Sequence, residues 1–187
     1  MLEITDCASP LGDIRLAVSG GRLCALGFTD RWPRLERALE RRLGRQELQQ
    51  SATTSGVVSR LRDYFAGDLA ALDGLDVALT GTPFQLQVWN ALRAIPVGET
   101  RTYGELARVV GAPTAVRAVG AANGANPVSI VVPCHRVIGA DGTLTGYGGG
   151  IERKRWLLQH ESAACPENRT LFSPPLRAAS RPAAART

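Results

Sequence analysis

The chain has 187 residues, 44% of them hydrophobic, and carries 22 basic and 17 acidic side chains for a net charge of +5. That length suits one ordinary domain or two small ones with a real core; no apolar run approaches the ~18 residues of a membrane span, and Met1-Leu2-Glu3-Ile4 lacks the basic and apolar regions of a secretion signal. Four cysteines, Cys7, Cys24, Cys134 and Cys165, show neither CxxC spacing nor a disulfide framework, which points to a reducing, cytoplasmic setting without a membrane.

The charge is uneven along the chain. Residues 1–81 carry ten arginines against eleven acids, residues 82–165 eight bases against five acids, and residues 166–187 four bases against one acid. The basic excess of the later stretches suits a polyanion, although a solvated basic surface has the same composition.

In chain order, residues 2–7 and 13–18 alternate polar and apolar, and Ser19-Gly20-Gly21 supplies a turn before the apolar run 23–28. This predicts a small antiparallel sheet with a hairpin. Leu35, Leu39 and Leu43, then Val57, Leu61, Tyr64 and Phe65, recur at helical spacing and predict two amphipathic helices packed on that sheet. Nothing in residues 1–81 offers chemistry, so they read as an α/β scaffold domain. Periodicity lapses over 74–83, where the domain boundary is placed, and Thr82-Pro83 begins a helix as N-cap and N1.

Residues 82–165 form the second predicted domain. The helix over 83–94 buries Phe84, Val88, Trp89 and Leu92. Residues 102–110 and 114–123 then give two short helices around Gly111-Ala112-Pro113, the layout of a helix-turn-helix. The second of them presents Ala115, Ala118, Gly120 and Ala121 with Arg117 as its one charge, unlike a major-groove reader rich in Asn, Gln, Arg and Lys. A small-faced helix suits close, sequence-tolerant docking in the minor groove, with a lone arginine in the place of an extruded base.

The run 130–137 leads β-branched residues into Cys134-His135, which predicts a thiol at the end of a buried strand beside a proton acceptor, hence a nucleophile. A structural cysteine packed as a small hydrophobe fits the local run equally well. Asn126-Pro127 upstream and the glycine-rich loop 146–150 downstream favour a pocket over a sealed core. Such a base needs an orienting anion. Glu161 is the candidate, because it follows Leu157 by four residues and Leu158 by three on the last helix. No GxGxxG or P-loop is present, so no cofactor is expected.

Pro133-Cys134-His135-Arg136-Val137, between Asn126-Pro127 and Tyr147-Gly148-Gly149, resembles the signature of the O6-alkylguanine-DNA alkyltransferases, also called methylated-DNA–protein-cysteine methyltransferases, over about Thr82 to Glu161. Residues 1–81 resemble that family only in length and general pattern, and residues 166–187 not at all. The resemblance implies a small α/β N-terminal domain and a mostly helical C-terminal domain with a helix-turn-helix. It implies a DNA-repair enzyme, acting as a monomer on double-stranded DNA, that moves the alkyl group of a flipped-out O6-alkylguanine, and also of O4-methylthymine, irreversibly to Cys134 in one turnover.

By the same resemblance Arg117 is an arginine finger, and Tyr103 acts on the 3′ phosphate and the guanine, donating to the leaving group together with the N–H of residue 148. Asn126 bridges backbone to the histidine or tyrosine, and Val137, Tyr147, Gly148 and Gly149 line the alkylguanine pocket. Many relatives have serine where Gly148 stands. A surface arginine, a core-edge tyrosine and an Asn-Pro turn residue are the plainer readings of Arg117, Tyr103 and Asn126. Some family members hold zinc in the first domain with two cysteines and two histidines. Here no histidine precedes residue 135, so no metal is expected. Three rivals remain: a non-repairing alkyltransferase-like binder, which would lack Cys134; a sequence-specific regulator, which would not have so alanine-rich a second helix; and a cysteine hydrolase, which would turn over. Residues 166–187 read as a disordered basic tail.

Overall fold

The computed structural model describes residues 1–51 and 54–163, without the side chains of Ser55 and Ala163. Cys165 and the predicted basic tail lie outside the described residues. Strands β1 (Leu2–Cys7), β2 (Ile14–Ser19) and β3 (Arg22–Phe28) form an antiparallel meander, in which Gly20 and Gly21 adopt φ of 55° and 78° to close the β2–β3 hairpin. A fourth strand, β4 (Leu48–Gln50), joins β1 in parallel, so the sheet is mixed, with order β3-β2-β1-β4. Three residues are too few to show alternation, and the parallel pairing was not legible for that reason.

The sheet is buried on both faces. On one side Leu2, Ile4, Ala17 and Ala25 meet Trp32 and Leu39 of helix α1 (Trp32–Leu43). On the other, Ile14, Leu16, Leu23 and Leu26 enter a larger cluster with Val58, Leu61 and Tyr64 of helix α2 (Ser55–Ala66). The two amphipathic helices therefore take opposite faces of the sheet.

Helix α3 (Pro83–Arg93) starts as expected: the Thr82 side chain accepts from the Gln85 N–H and Gln85 returns the bond, a capping box followed by proline. Trp89 is fully buried in the core, with its indole N–H donating to the Ala122 carbonyl at 2.9 Å. Helix α4 (Tyr103–Val109) repeats the device with Thr102 and Glu105, and α5 (Val116–Gly124) packs against both α3 and α4. A two-residue parallel pair, β5 (Arg101–Thr102) with β6 (Val137–Ile138), ties the start of α4 to the segment after the cysteine. Helix α6 (Ile151–Ala163) closes the described chain.

The larger core cluster runs through both halves, from Ile14 and Leu16 to Trp89, Val119, Val132 and Leu157. Backbone bonds from Leu26 N–H to Pro127 O and from Ser129 N–H to Leu26 O, each 2.9 Å, stitch β3 to the segment leading to Cys134. No described helix is long and apolar enough to cross a membrane.

Candidate functional site

The segment before Cys134 is not the buried strand expected from its β-branched residues. Ser129 N–H is taken by Leu26, Val132 N–H turns back to the Val128 carbonyl, and Ile130 adopts φ of 71°, a left-handed conformation costly for a β-branched side chain. The chain coils instead, and Cys134, His135 and Arg136 form one short 3-10 turn, all three buried.

Asn126 holds this coil in shape. Its Oδ1 accepts from the Val128 N–H at 3.0 Å, while its Nδ2 donates to the Val132 carbonyl at 2.8 Å and faces the Cys134 sulfur at 3.1 Å. The partner of Asn126 is therefore the thiol itself, rather than the histidine or tyrosine expected from the resemblance. Asn123, which the sequence reading passed over, reaches the Cys134 carbonyl at 3.4 Å from α5.

Behind the thiol, three residues converge on Glu161, a buried carboxylate of α6. His135 Nε2 lies 3.0 Å from Oε1, Arg136 grips both oxygens at 2.8 Å, and the Tyr64 hydroxyl donates to Oε1 at 2.9 Å. Arg136 Nη1 also donates to the Ile95 carbonyl at 2.6 Å. Burial alone would raise the Glu161 carboxyl, but His135 and Arg136 overcome it and hold the group well below the usual carboxylate range. An ionised carboxylate has no proton to give. His135 therefore carries its proton on Nε2, and its lone pair is on Nδ1, which is buried and has no protein partner among the described residues.

Burial also lowers the His135 imidazole below its ordinary value, against the pull of Glu161, so the ring is neutral at neutral pH. Burial pushes the Cys134 thiol up, with Asn126 and Lys154 working the other way. Cys134 thus rests as a thiol, and the imidazole of the next residue is neutral. Lys154 is a second feature that the sequence reading missed. Fully buried, it donates from Nζ to the carbonyls of Val137 at 2.5 Å and Thr145 at 2.6 Å, and burial brings it down to about 8. The Val137 N–H is also occupied, by the Cys134 carbonyl.

The remaining expected residues lie on the glycine-rich loop, on α4 and at or along α5. The Tyr103 hydroxyl lies 3.2 Å from the Thr145 carbonyl and 3.3 Å from that of Gly146, so it faces the glycine-rich loop. The Tyr147 ring stands edge-on to His135 at 6.3 Å. Gly148 is exposed and Gly149 buried. On α5, Arg117, Ala118 and Ala121 point outward, Ala115 is half-buried at its start, and Gly120 turns inward to the Tyr103 ring, 3.9 Å from where a Cβ would lie. A cleft of about 670 Å³ lies beside the centre, with Arg34, Arg41 and Arg42 of α1 on one wall and Ala121, Asn126 and Gly149 on the other. The electropositive wall comes from the stretch that the sequence reading treated as scaffold. No group of three or more His, Cys, Asp or Glu side chains that could hold a metal occurs among the described residues.

Two family models match the chain: the 6-O-methylguanine DNA methyltransferase DNA binding domain over residues 83–163 and the ribonuclease-like domain of the same proteins over residues 5–79. A methylated-DNA–protein-cysteine methyltransferase of Salmonella typhimurium is 52% identical over 157 residues, 82% of this chain and 92% of that protein. The protein of the same name from Mycobacterium bovis is 49% identical over 172 residues, 92% and 99% of the two chains. Among solved structures, Mycobacterium tuberculosis OGT in complex with DNA superposes with a TM-score of 0.76 at 46% identity, covering 91% of this chain and 99% of that one.

Proposed function

The chain belongs to the 6-O-methylguanine DNA methyltransferases, DNA-binding repair enzymes that transfer alkyl groups from DNA to a protein cysteine, and on that premise we propose that Cys134 is the acceptor and that each molecule acts once. The observation that carries this reading is the Asn126–Cys134–His135–Glu161 arrangement, in which a buried thiol faces an amide donor and the next residue in the chain is an imidazole whose tautomer is set by a carboxylate.

In this reading the thiol proton passes to His135 Nδ1 through one water molecule, and Nε2–H and Glu161 stabilise the imidazolium that forms. The sulfur attacks the alkyl carbon, an S–C bond forms as the C–O6 bond breaks, and the electron pair leaves with the guanine. The Tyr103 hydroxyl and the residue 148 N–H donate to that oxygen. The guanine finally gains the proton that the thiol lost, so the reaction balances as thiol plus O6-alkylguanine giving thioether plus guanine. No group in the site attacks a thioether, which is why one event per molecule is expected.

The same reading assigns α4 and α5 to DNA as a helix-turn-helix. Its second helix places Ala118 and Ala121 against a minor groove without sequence preference, and Arg117 stands in the stack for the extruded nucleotide. It takes residues 1–81 and 82–165 as two domains, O4-methylthymine as a further lesion, and a cytoplasmic monomer as the working form.

The test is incubation of DNA bearing radiolabelled O6-methylguanine with excess and with limiting protein. Label is expected on Cys134, up to one equivalent, and none on Cys134→Ala. Repair beyond one equivalent, or label on the alanine variant, would overturn the assignment.

A further inference from the structure

Tyr64 belongs to α2, in the part of the chain where the sequence offers only a hydrophobic helix face. Its ring is 1% exposed and packs edge-on against Phe65 at 5.3 Å and His160 at 5.2 Å. Those contacts account for an aromatic ring there, and a phenylalanine would satisfy them. The hydroxyl is what needs explaining: it donates at 2.9 Å to Glu161 Oε1, the same oxygen that faces His135 Nε2 at 3.0 Å and Arg136 Nη2 at 2.8 Å, whereas Oε2 receives Arg136 Nε alone among these.

We propose that Tyr64 is a positioning residue of the transfer reaction, whose hydroxyl competes with His135 for one oxygen of Glu161 and so sets how strongly that carboxylate holds the imidazole. The proposal rests on the reading of His135 as the acceptor of the thiol proton. Each donor on a carboxylate oxygen takes up part of its charge, and a neutral phenol does so without cancelling it, as a second arginine would. With the hydroxyl present, Oε1 is shared three ways. Without it, the carboxylate turns to the two remaining donors, and the imidazolium of His135 gains.

The other charged or titratable groups around the pair are Cys134 and Arg136 on the 3-10 turn, Lys154 and His160 on α6, and Tyr147 on the glycine-rich loop. Removing one oxygen from Tyr64 takes away none of these groups, and of them only Arg136 shares Glu161 Oε1 with it. His160 bonds the Tyr64 backbone carbonyl at 2.8 Å and stacks on Trp156, so its setting survives as well.

Protonated His135 cannot accept the thiol proton, so the single-turnover rate falls as pH drops through its titration. Tyr64→Phe stabilises the protonated form, so the acid limb of the rate profile should move to higher pH, by about one unit. NMR titration of the imidazoles reads the same event without DNA. The chain has only two histidines, and His160→Gln assigns them. The His135 curve is expected to move upward in Tyr64→Phe while the His160 resonance serves as internal control. Where that variant fails to fold, 3-fluorotyrosine placed at position 64 alone, a stronger donor of the same shape, should move the His135 curve downward.

A lower melting temperature in Tyr64→Phe with both curves unmoved would overturn the proposal and leave Tyr64 as a structural tie. If the wild-type protein takes no methyl group from DNA, the functional reading fails instead, and the NMR titration still decides whether the three residues are coupled.

Discussion

At the scale of single residues the site is governed by a buried carboxylate that three donors keep ionised. Glu161 titrates well below its ordinary 4.5 in the folded protein because His135 and Arg136 outweigh its burial. A folded-state value below the unfolded one means that the unfolded chain binds the extra proton. The stability from this group is therefore fully present above about pH 4.5 and is lost as pH falls toward the depressed value. Glu161→Gln keeps the shape but leaves Arg136 buried without its counter-charge, which should cost about 3–5 kcal/mol at pH 7. The same variant should lose less stability than wild type between pH 5 and pH 3, and urea denaturation at the three pH values measures both effects. Equal midpoints for the two proteins at pH 7 would mean that the network does not hold the fold. Glu161 was legible beforehand because its spacing from Leu157 and Leu158 placed it on a buried face. Lys154 was not: one lysine among 21 arginines reads as composition, and its burial against two carbonyls depends on contacts distant in sequence.

At the scale of elements, the glycine-rich loop separates two neighbouring positions that look alike in sequence. A Cβ on Gly148 meets nothing within 4 Å, whereas one on Gly149 would lie 2.6 Å from Tyr147 Cε1 and 2.8 Å from Phe28 Cε2. Gly148→Ser should leave stability within about 0.5 kcal/mol of wild type. Gly149→Ala should cost about 1–3 kcal/mol, because both rings belong to the packed core and have little room to move. Thermal melts of the two variants test this, and equal losses would mean that the loop is not seated on Phe28 as described. Helix starts could be read in advance, since Thr82 with Gln85 and Thr102 with Glu105 carry their capping partners in the sequence. The β-branched residues 130–132 could not, because their propensity for a strand is overridden by Asn126 and by the bonds to Leu26, which coil the segment into the site. Tyr64 was read correctly as helix core. Its hydroxyl bond spans 97 positions, and helical periodicity carries no information at that range.

At the scale of the whole molecule, the two halves share one core and are joined around Cys134. Arg42 on α1 donates to the Ala125 carbonyl at 3.1 Å beyond the end of α5. Arg153 on α6 binds the Leu11 carbonyl and Asp30 and lies 4.0 Å over the Phe28 ring. Cys134 is 4% exposed within this frame, so on the proposed reading an alkyl group on its sulfur has to be accommodated by packed neighbours. Adding a methyl group to such a site typically costs about 1–3 kcal/mol. For a chain of this size that should lower the melting temperature by roughly 2–4 °C per kcal/mol. Since Val132, Val119, Leu16 and Leu26 lie in the same cluster as Cys134, the loss should reach both halves together. Calorimetry of protein reacted with one equivalent of O6-methylguanine DNA, then freed of DNA, should therefore show a single transition at a lower temperature. A larger transferred group such as benzyl should lower it further. Two separated transitions, with only the later half shifted, would show that the first 81 residues do not share the strain, and an unshifted single transition would show that the pocket holds room for the product.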